Sequence, residues 1–474
     1  MNSKALTEKT PLSGQKTSIL EKIAFFYLNA GTVTGSALIA GALLLFYTDV
    51  AGLDPAKIGI MFLIARIFDG FNDPVQAYII DHLPRTKMGR FRLYLIIGAF
   101  LFSINFVLAF FGPYWATSGK MVVAWITYLM LDMTSCIMTI PNDCMLPVMT
   151  DDPKDRNLLA LIKGVAVTFG NLIVGMPLPL LLASMPDNQA GAFGIVVFGG
   201  AIVMIVFVSL GTLGVKERIP AEPEQKYTAR ELLTIVLQRP VYALFLSYLL
   251  INIAAISSAT VSLYFFTYVV KNLTVMPLLS VASIVGGLCG VPIAPILANR
   301  YGKRTSFMIG ALIMFLACAL RLINVTAIPL LLLTAGITTF GSSMAHPIAY
   351  GIMADNTDYI EFKLNKRAEG AVASLNSLVA KASAGIGGAL VGLVLAWTGY
   401  IAPIQGSGVI EQTQQAQNGI ILLMVGLPTL ANLVAAVLFR LLYPLTNDKM
   451  KEITEELRSR RIARGEEAEV EAQA

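Results

Sequence analysis

Apolar runs separated by short charged segments set the pattern of this chain. Twelve runs have the roughly 20 residues that a helix needs to cross a hydrocarbon core. They cover residues 21–47, 57–80, 92–113, 119–149, 158–183, 190–215, 239–269, 273–298, 305–325, 327–354, 369–397 and 417–443. The pattern predicts an all-α polytopic membrane protein of twelve transmembrane helices with short connections, as between neighbours in a bundle. The longest interruption, KERIPAEPEQKYTARELLTIVLQ over 216–238, is charged, carries Pro and follows the sixth run. It divides the chain into an N-terminal segment (1–20), a six-helix bundle (21–215), a central loop (216–238), a second six-helix bundle (239–443) and a tail (444–474).

Composition agrees. Charged residues are 14% and apolar residues 56%, against about 25% charged in soluble domains. A cytosolic enzyme, a disordered chain and a disulfide scaffold are excluded. The net charge of +5 reflects topology rather than a nucleic-acid partner. The even-numbered connections hold Arg85, Lys87, Arg90 and Arg92; Lys154 and Arg156; Lys216, Arg218, Lys226, Arg230 and Arg239; Arg300, Lys303 and Arg304; and Lys363, Lys366 and Arg367. The odd-numbered ones hold only Lys57, Lys120 and Lys271. This bias places the even connections and both termini in the cytoplasm. Residues 1–18 are polar without an apolar stretch, so the first helix is expected to act as its own insertion signal.

Cys136, Cys144, Cys289 and Cys318 lie in apolar runs without CxxC spacing and read as small buried hydrophobes. His82 and His346 form no metal-ligand spacing with them. No nucleophile–base constellation appears, so an enzyme and a cofactor are not expected. Met450, Ile453 and Leu457 give the tail an apolar stripe among charges. It reads as a helix on the anionic inner leaflet or as a solvated tail. Tyr128, Trp125 and Trp397 suit stacking on a sugar ring or, as the safer reading, interfacial anchoring. An internal echo links DHLPRTKMGRFR after the second run to NRYGKRTS after the eighth. With two six-helix halves, the echo gives the major-facilitator pattern.

Charges inside the apolar runs are the candidate chemistry, because each costs about 2.5–3.5 kcal/mol at the bilayer centre on the insertion scale. Run two reads IARIFDGFNDPVQAY and puts Arg66, Asp69 and Asp73 on one helical stripe beside Asn72. Two carboxylates one turn apart repel unless a cation lies between them. Such a pair suits a site for exchangeable Na⁺ or H⁺; the alternative is a static ion-pair network that only fixes packing. Pro74 follows and would expose carbonyl oxygens. In run four, Asp143 beside Thr139 and Asn142 faces substrate or bridges to Lys163, and Asp132 is open to either role. Lys381 in run eleven wants a carboxylate, and the run-two pair is the candidate across the halves. Arg321, near a run end, is expected to snorkel. Asn29, Thr32, Thr34, Asn171 and Asn252 line a cavity or bond neighbouring helices.

FYTDVAGL, IARIFDGFNDP, RTKMGRFR, IPNDCMLPVMTDDPKDR, ADNTDYIEFKLNKRAEG and the Lys381 segment together resemble the glycoside–pentoside–hexuronide:cation symporters, over residues 20–443. The resemblance implies a major-facilitator fold and sugar uptake coupled to a H⁺ or Na⁺ gradient by alternating access. It implies a cation site at Asp69, Asn72 and Asp73, with Lys381 near cation and sugar. It also implies a cytoplasmic gate of Asp355, Asp358, Tyr359, Arg367 and Glu369, with Arg304 the expected partner of Asp355 or Asp358. The galactoside-binding pattern of the family is broken. Its acids fall on Val33 and Thr139, its aromatic on Asp143, its arginine on Gly164, and a Na⁺-binding hydroxyl on Cys136. Sulfur is a poor ligand for a hard cation, which favours H⁺ or weakened Na⁺ binding. The expected setting is a bacterial inner membrane, the expected partners a small sugar and membrane lipid, with no obligatory protein partner. A lysolipid carrier on the same fold is the alternative. The particular sugar, the ion and the oligomeric state stay open.

Overall fold

A computed structural model describes residues 17–82, 88–150, 152–218, 229–364, 369–403 and 410–463. The described residues form α1 (Ile19–Leu45), α2 (Pro55–His82), α3 (Arg92–Trp115), α4 (Lys120–Met149), α5 (Pro153–Gly175), α6 (Pro177–Ser184), α7 (Gln189–Gly214) and α8 (Ala229–Val236). They continue with α9 (Arg239–Tyr264), α10 (Val275–Tyr301), α11 (Lys303–Arg321), α12 (Ile328–Leu364), α13 (Glu369–Trp397), α14 (Gln414–Ile421), α15 (Leu427–Leu442) and α16 (Asn447–Ala463). Eleven stretches among them are long and apolar enough to cross a membrane. The twelfth predicted span is α2, whose 28 residues include Arg66, Asp69 and Asp73. The all-α, roughly twelve-helix expectation therefore holds.

The chain divides into two compact units. The first holds Met1–Leu53, Ile67–Pro223 and Ala402–Val409; the second holds Asp54–Arg66, Glu224–Ile401 and Ile410–Ala474. The first turns of α2 thus pack in the second unit, against glycines of α13. A methyl on Gly392 would lie 2.5 Å from the Pro55 carbonyl oxygen, and one on Gly388 3.0 Å from the Phe62 ring. In the first unit, α1 packs against α5 and α7. Its entry is pinned by charge. Ser18 and Glu21 form a capping box, Arg218 reaches Glu21 at 2.7 Å, and Lys22 reaches Asp155 at 2.7 Å. In the second unit α12 packs against α10 and α11, and α9 against α13 and α15.

The two units repeat one local device. α1 ends in a π-helical turn over Phe46–Val50, FYTDV, and α9 in another over Phe265–Val269, FFTYV. In the first, the amides of Ala51 and Leu53 donate to the carbonyls of Phe46 and Tyr47; in the second, those of Val270 and Asn272 donate to Phe265 and Phe266. Each closure needs a left-handed residue, supplied by Gly52 (φ +71°) and by Lys271 (φ +56°). A methyl at Gly52 would meet nothing within 4 Å, so its cost is backbone alone. Gly52→Ala is expected to destabilise by about 1 kcal/mol, whereas Lys271→Gly should show no loss, both read as thermal unfolding in detergent. Lys271 also meets Glu411 at 2.6 Å, and its ammonium holds the Glu411 carboxyl below the ordinary range.

The basic connections also cap helices. Arg92 donates to the carbonyls of Thr212 and Leu213 at the end of α7. Arg304 donates to that of Arg440 at the end of α15. Cations at helix C-termini are favoured by the macrodipole, so these residues serve structure as well as topology.

Several expectations are corrected. Ile453 and Leu457 of α16 belong to the second unit's apolar core, and Arg460 donates to the Phe362 carbonyl at 3.2 Å. Protein, rather than lipid or water, covers the tail's apolar stripe. Arg321 does not snorkel: it is 7% exposed and donates to the Thr334 hydroxyl at 2.7 Å. Cys289 is exposed instead of buried, and Tyr128 is buried instead of anchoring at an interface.

Candidate functional site

The ionisable stripe is built by helical spacing on α2. Asp69 is 1% exposed, and Arg66 and Asn72 are half-buried. The Asn72 side-chain nitrogen is buried without a hydrogen bond among the described residues. The side chain of Asp73 lies outside the described residues. Within the second unit, the Arg66 stem meets Gly385 of α13. The contacts of Gly392, Gly388 and Gly385 with Pro55, Phe62 and Arg66 run in opposite chain directions, so α13 lies antiparallel to these turns. Lys381 precedes Gly385 by four residues and shares its face.

In the first unit, Asn29 of α1 and Asn142 of α4 meet at 3.1 Å, Asn142 donating. Both are buried, and the Asn142 carbonyl oxygen has no hydrogen bond among the described residues. The Asn29 amide also donates to the Phe25 carbonyl. Asp143 takes the salt-bridge alternative, with Lys163 at 2.9 Å, and both are solvent- or lipid-accessible. Asp132 receives the Cys136 thiol at 3.8 Å. Thr139 is half-buried. Thr32 and Thr34 bond carbonyls of their own helix, as does Asn252, which is how hydroxyls and amides in helices often satisfy themselves.

Among the expected gate residues, the Arg304 pairing is corrected. Lys303 takes Asp355 at 2.6 Å and the Gly351 carbonyl at 3.2 Å, while Arg304 caps α15. Adjacent helical residues point about 100° apart, so only one of the two reaches α12. Asp358 and Tyr359 are half-buried, and Lys363 lies 5.7 Å from the Tyr359 ring centre. Arg367 and the Glu369 side chain lie outside the described residues. Three groups beside these residues on α12 were missed by sequence reasoning: Lys303, Asn356 and Tyr443. Asn356 is fully buried; it donates to the Pro240 carbonyl and accepts from the Tyr443 hydroxyl at 3.4 Å.

A family model described as MFS/sugar transport protein matches residues 25–447. The chain belongs to this family. The glucuronide carrier protein homolog of Escherichia coli (strain K12) is 29% identical over 436 residues, covering 90% of this chain and 93% of that one. The isoprimeverose transporter of Lactiplantibacillus pentosus is 30% identical over 375 residues, 77% of this chain and 78% of its own. The putative glycoside/cation symporter YagG of Escherichia coli (strain K12) is 30% identical over 437 residues, 89% and 91%. The resemblance read from the motifs is borne out. Among solved structures, the nucleoside transporter NupG matches with a TM-score of 0.61 at 12% identity, covering 90% of this chain and all of that one. That likeness shows the fold alone.

Proposed function

We propose that the protein is a secondary active symporter that brings a sugar into a bacterial cell by alternating access, driven by a H⁺ or Na⁺ gradient. The inner membrane is its setting, and both termini face the cytoplasm, as the Lys and Arg distribution supports. The observation that carries the coupling is Asp69, a carboxylate 1% exposed inside a membrane helix of a sugar-transport chain. Such a group marks function, and with Asp73 and Asn72 it forms the cation site.

The family resemblance implies that Lys381 serves both cation and sugar. When the cation enters, it relieves the repulsion between Asp69 and Asp73 and releases Lys381 toward the sugar. Cation and sugar then favour the same closed state, which is what symport requires. Asn29, Asp132, Thr139 and Arg66 are proposed to line the path between them, and Lys303–Asp355, with Asp358 and Tyr359, to close the cytoplasmic side.

Thermal stabilisation tests the reading. The purified protein is heated with α- and β-glycosides, pentosides, hexuronides and lysolipids, each with and without Na⁺. A ligand at 100 times its Kd adds about 2.7 kcal/mol. The expected result is a shift with a glycoside, pentoside or hexuronide; enhancement by Na⁺ identifies that ion, and indifference to Na⁺ identifies H⁺. A response to lysolipids alone would overturn the sugar assignment.

A further inference from the structure

Arg321 closes α11 at the end away from Lys303. It continues the buried face of that helix with Met314 and Cys318, in the seam with α12, and is 7% exposed. A guanidinium stays charged at any working pH and is costly to hold in an apolar seam without a counter-charge. The protein supplies none. No Asp or Glu occurs in the sequence between Glu231 and Asp355, so α9, α10 and α11 carry no acid. Asp355 lies about 30 Å farther along α12 than Thr334 and is held by Lys303; Glu411 is held by Lys271. Among the described residues Arg321 makes no ion pair.

The contacts it does make leave most of its donors over. Nε donates to the Thr334 hydroxyl at 2.7 Å, and that hydroxyl donates in turn to the Leu330 carbonyl. This fixes the plane of the guanidinium. The two terminal nitrogens have no hydrogen bond among the described residues, and neither is sealed inside the protein. They do not cap α11 either: the carbonyls of Ala319 and Leu320 take the amides of Leu322 and Ile323. A clamp between α11 and α12 needs the Nε bond alone and leaves the charge and this open edge unexplained. A planar pair of NH₂ groups held in one orientation matches two oxygens of a phosphate.

Position selects the source of that phosphate. α11 has 19 residues, so Arg321 lies about 27 Å from Lys303, close to the full depth of a hydrocarbon core. Lys303 stands on the cytoplasmic side in the orientation proposed above, which puts Arg321 at the level of the outer headgroups. Large apolar side chains are exposed beside it on both helices: Leu322 and Ile323 directly after α11, and Leu333 next to Thr334. Such surroundings suit acyl chains rather than a hydrated ion. α12 begins about 9 Å outward of Thr334, where Asn324 accepts the Thr326 and Ala327 amides. The positive end of its dipole favours an anion in the same place.

We infer that the Arg321 guanidinium is a binding site for the phosphodiester of a membrane phospholipid, with Thr334 as the positioning residue and Leu322, Ile323 and Leu333 against the acyl chains.

The test uses the full-length protein reconstituted with a phosphatidylglycerol that carries a photoreactive diazirine at the top of one acyl chain. Adducts are mapped by peptide mass spectrometry and are expected on Leu322, Ile323 and Leu333. A diacylglycerol with the same diazirine but no phosphate should label them about tenfold less, the range of a hydrogen bond to a charged group. Arg321→Gln should cause the same loss there and leave labelling elsewhere on the protein, and sugar binding, unchanged. Arg321→Lys, a point charge without the fork, should recover part of it. Equal labelling by the two probes in the unmutated protein would make the place an apolar groove and overturn the inference without any variant. Undiminished labelling in folded Arg321→Gln would overturn it as well. Suppression of the adducts by millimolar inorganic phosphate would assign the site to a free anion and overturn the lipid. Loss of sugar binding in Arg321→Gln at an unchanged melting temperature would place the arginine on the sugar's path and overturn the lipid likewise.

Discussion

Asp69→Asn and Asp73→Asn should each abolish sugar accumulation while leaving sugar exchange measurable. One cation moving with each sugar across 100 mV supplies about 2.3 kcal/mol, enough for roughly 50-fold accumulation. Asn keeps the size and hydrogen-bonding atoms of Asp but removes the charge that draws in the cation. With that charge gone, sugar binding is no longer tied to the gradient, and the internal level should equilibrate near the external one. The same variants should still exchange labelled for unlabelled sugar in de-energised vesicles, because exchange needs no net cation movement. Asp69 is the more telling of the two, being almost wholly buried. The static ion-pair alternative predicts a different outcome: lower stability, with normal accumulation by whatever protein remains folded. Undiminished gradient-driven accumulation by both variants would therefore remove the proposed cation site.

The membrane fold was legible because a bilayer imposes a length and a polarity that few other patterns satisfy. Even α2, interrupted by Arg66, Asp69 and Asp73, was readable as a span, since the apolar residues around those charges still cover the required length. The residue types at the site were legible for the same reason: an ionisable group within an apolar run stands out. Partners were not. Lys303 and Arg304 are neighbours in sequence, and only the helix rotation decides that Lys303 reaches Asp355. For Asp143, the spacing could not show that Lys163 lies beside it. The tail's stripe was visible at Met450, Ile453 and Leu457, but amphipathic spacing says that a face is covered, not what covers it. The FYTDV and FFTYV repeat was present in the chain and passed unnoticed, because a π-helical turn breaks the 3.6-residue period on which the reading relied.

Gly286→Leu should collapse the C-terminal unit. α10 approaches α12 backbone to backbone at Gly286 and Gly290, four residues apart. A methyl on Gly286 would overlap the Gly336 carbonyl, and one on Gly290 would lie 2.5 Å from the Phe340 carbonyl oxygen. Neither obstacle is a flexible side-chain end, so relief requires the helices to separate. In a bilayer that separation is costly in a particular way. Lipid tails are as apolar as leucine, so helix association relies on close packing rather than on the hydrophobic effect. Burying more apolar surface does not compensate for lost contact. Overpacking typically costs about 1–3 kcal/mol and occasionally more, and with backbone as the obstacle the upper end is expected; α12 also carries Asp355 and Asn356, so the proposed gate should be displaced with it. Gly199→Leu is the control, because a side-chain carbon there meets nothing within 4 Å. Size-exclusion profiles and melting curves in the same detergent should show Gly286→Leu aggregated or strongly destabilised and Gly199→Leu unchanged. If both behaved like the unmutated protein, α10 and α12 would not be in the contact described. If both failed, added bulk in a membrane helix would be harmful in itself, and the close approach at Gly286 would explain nothing.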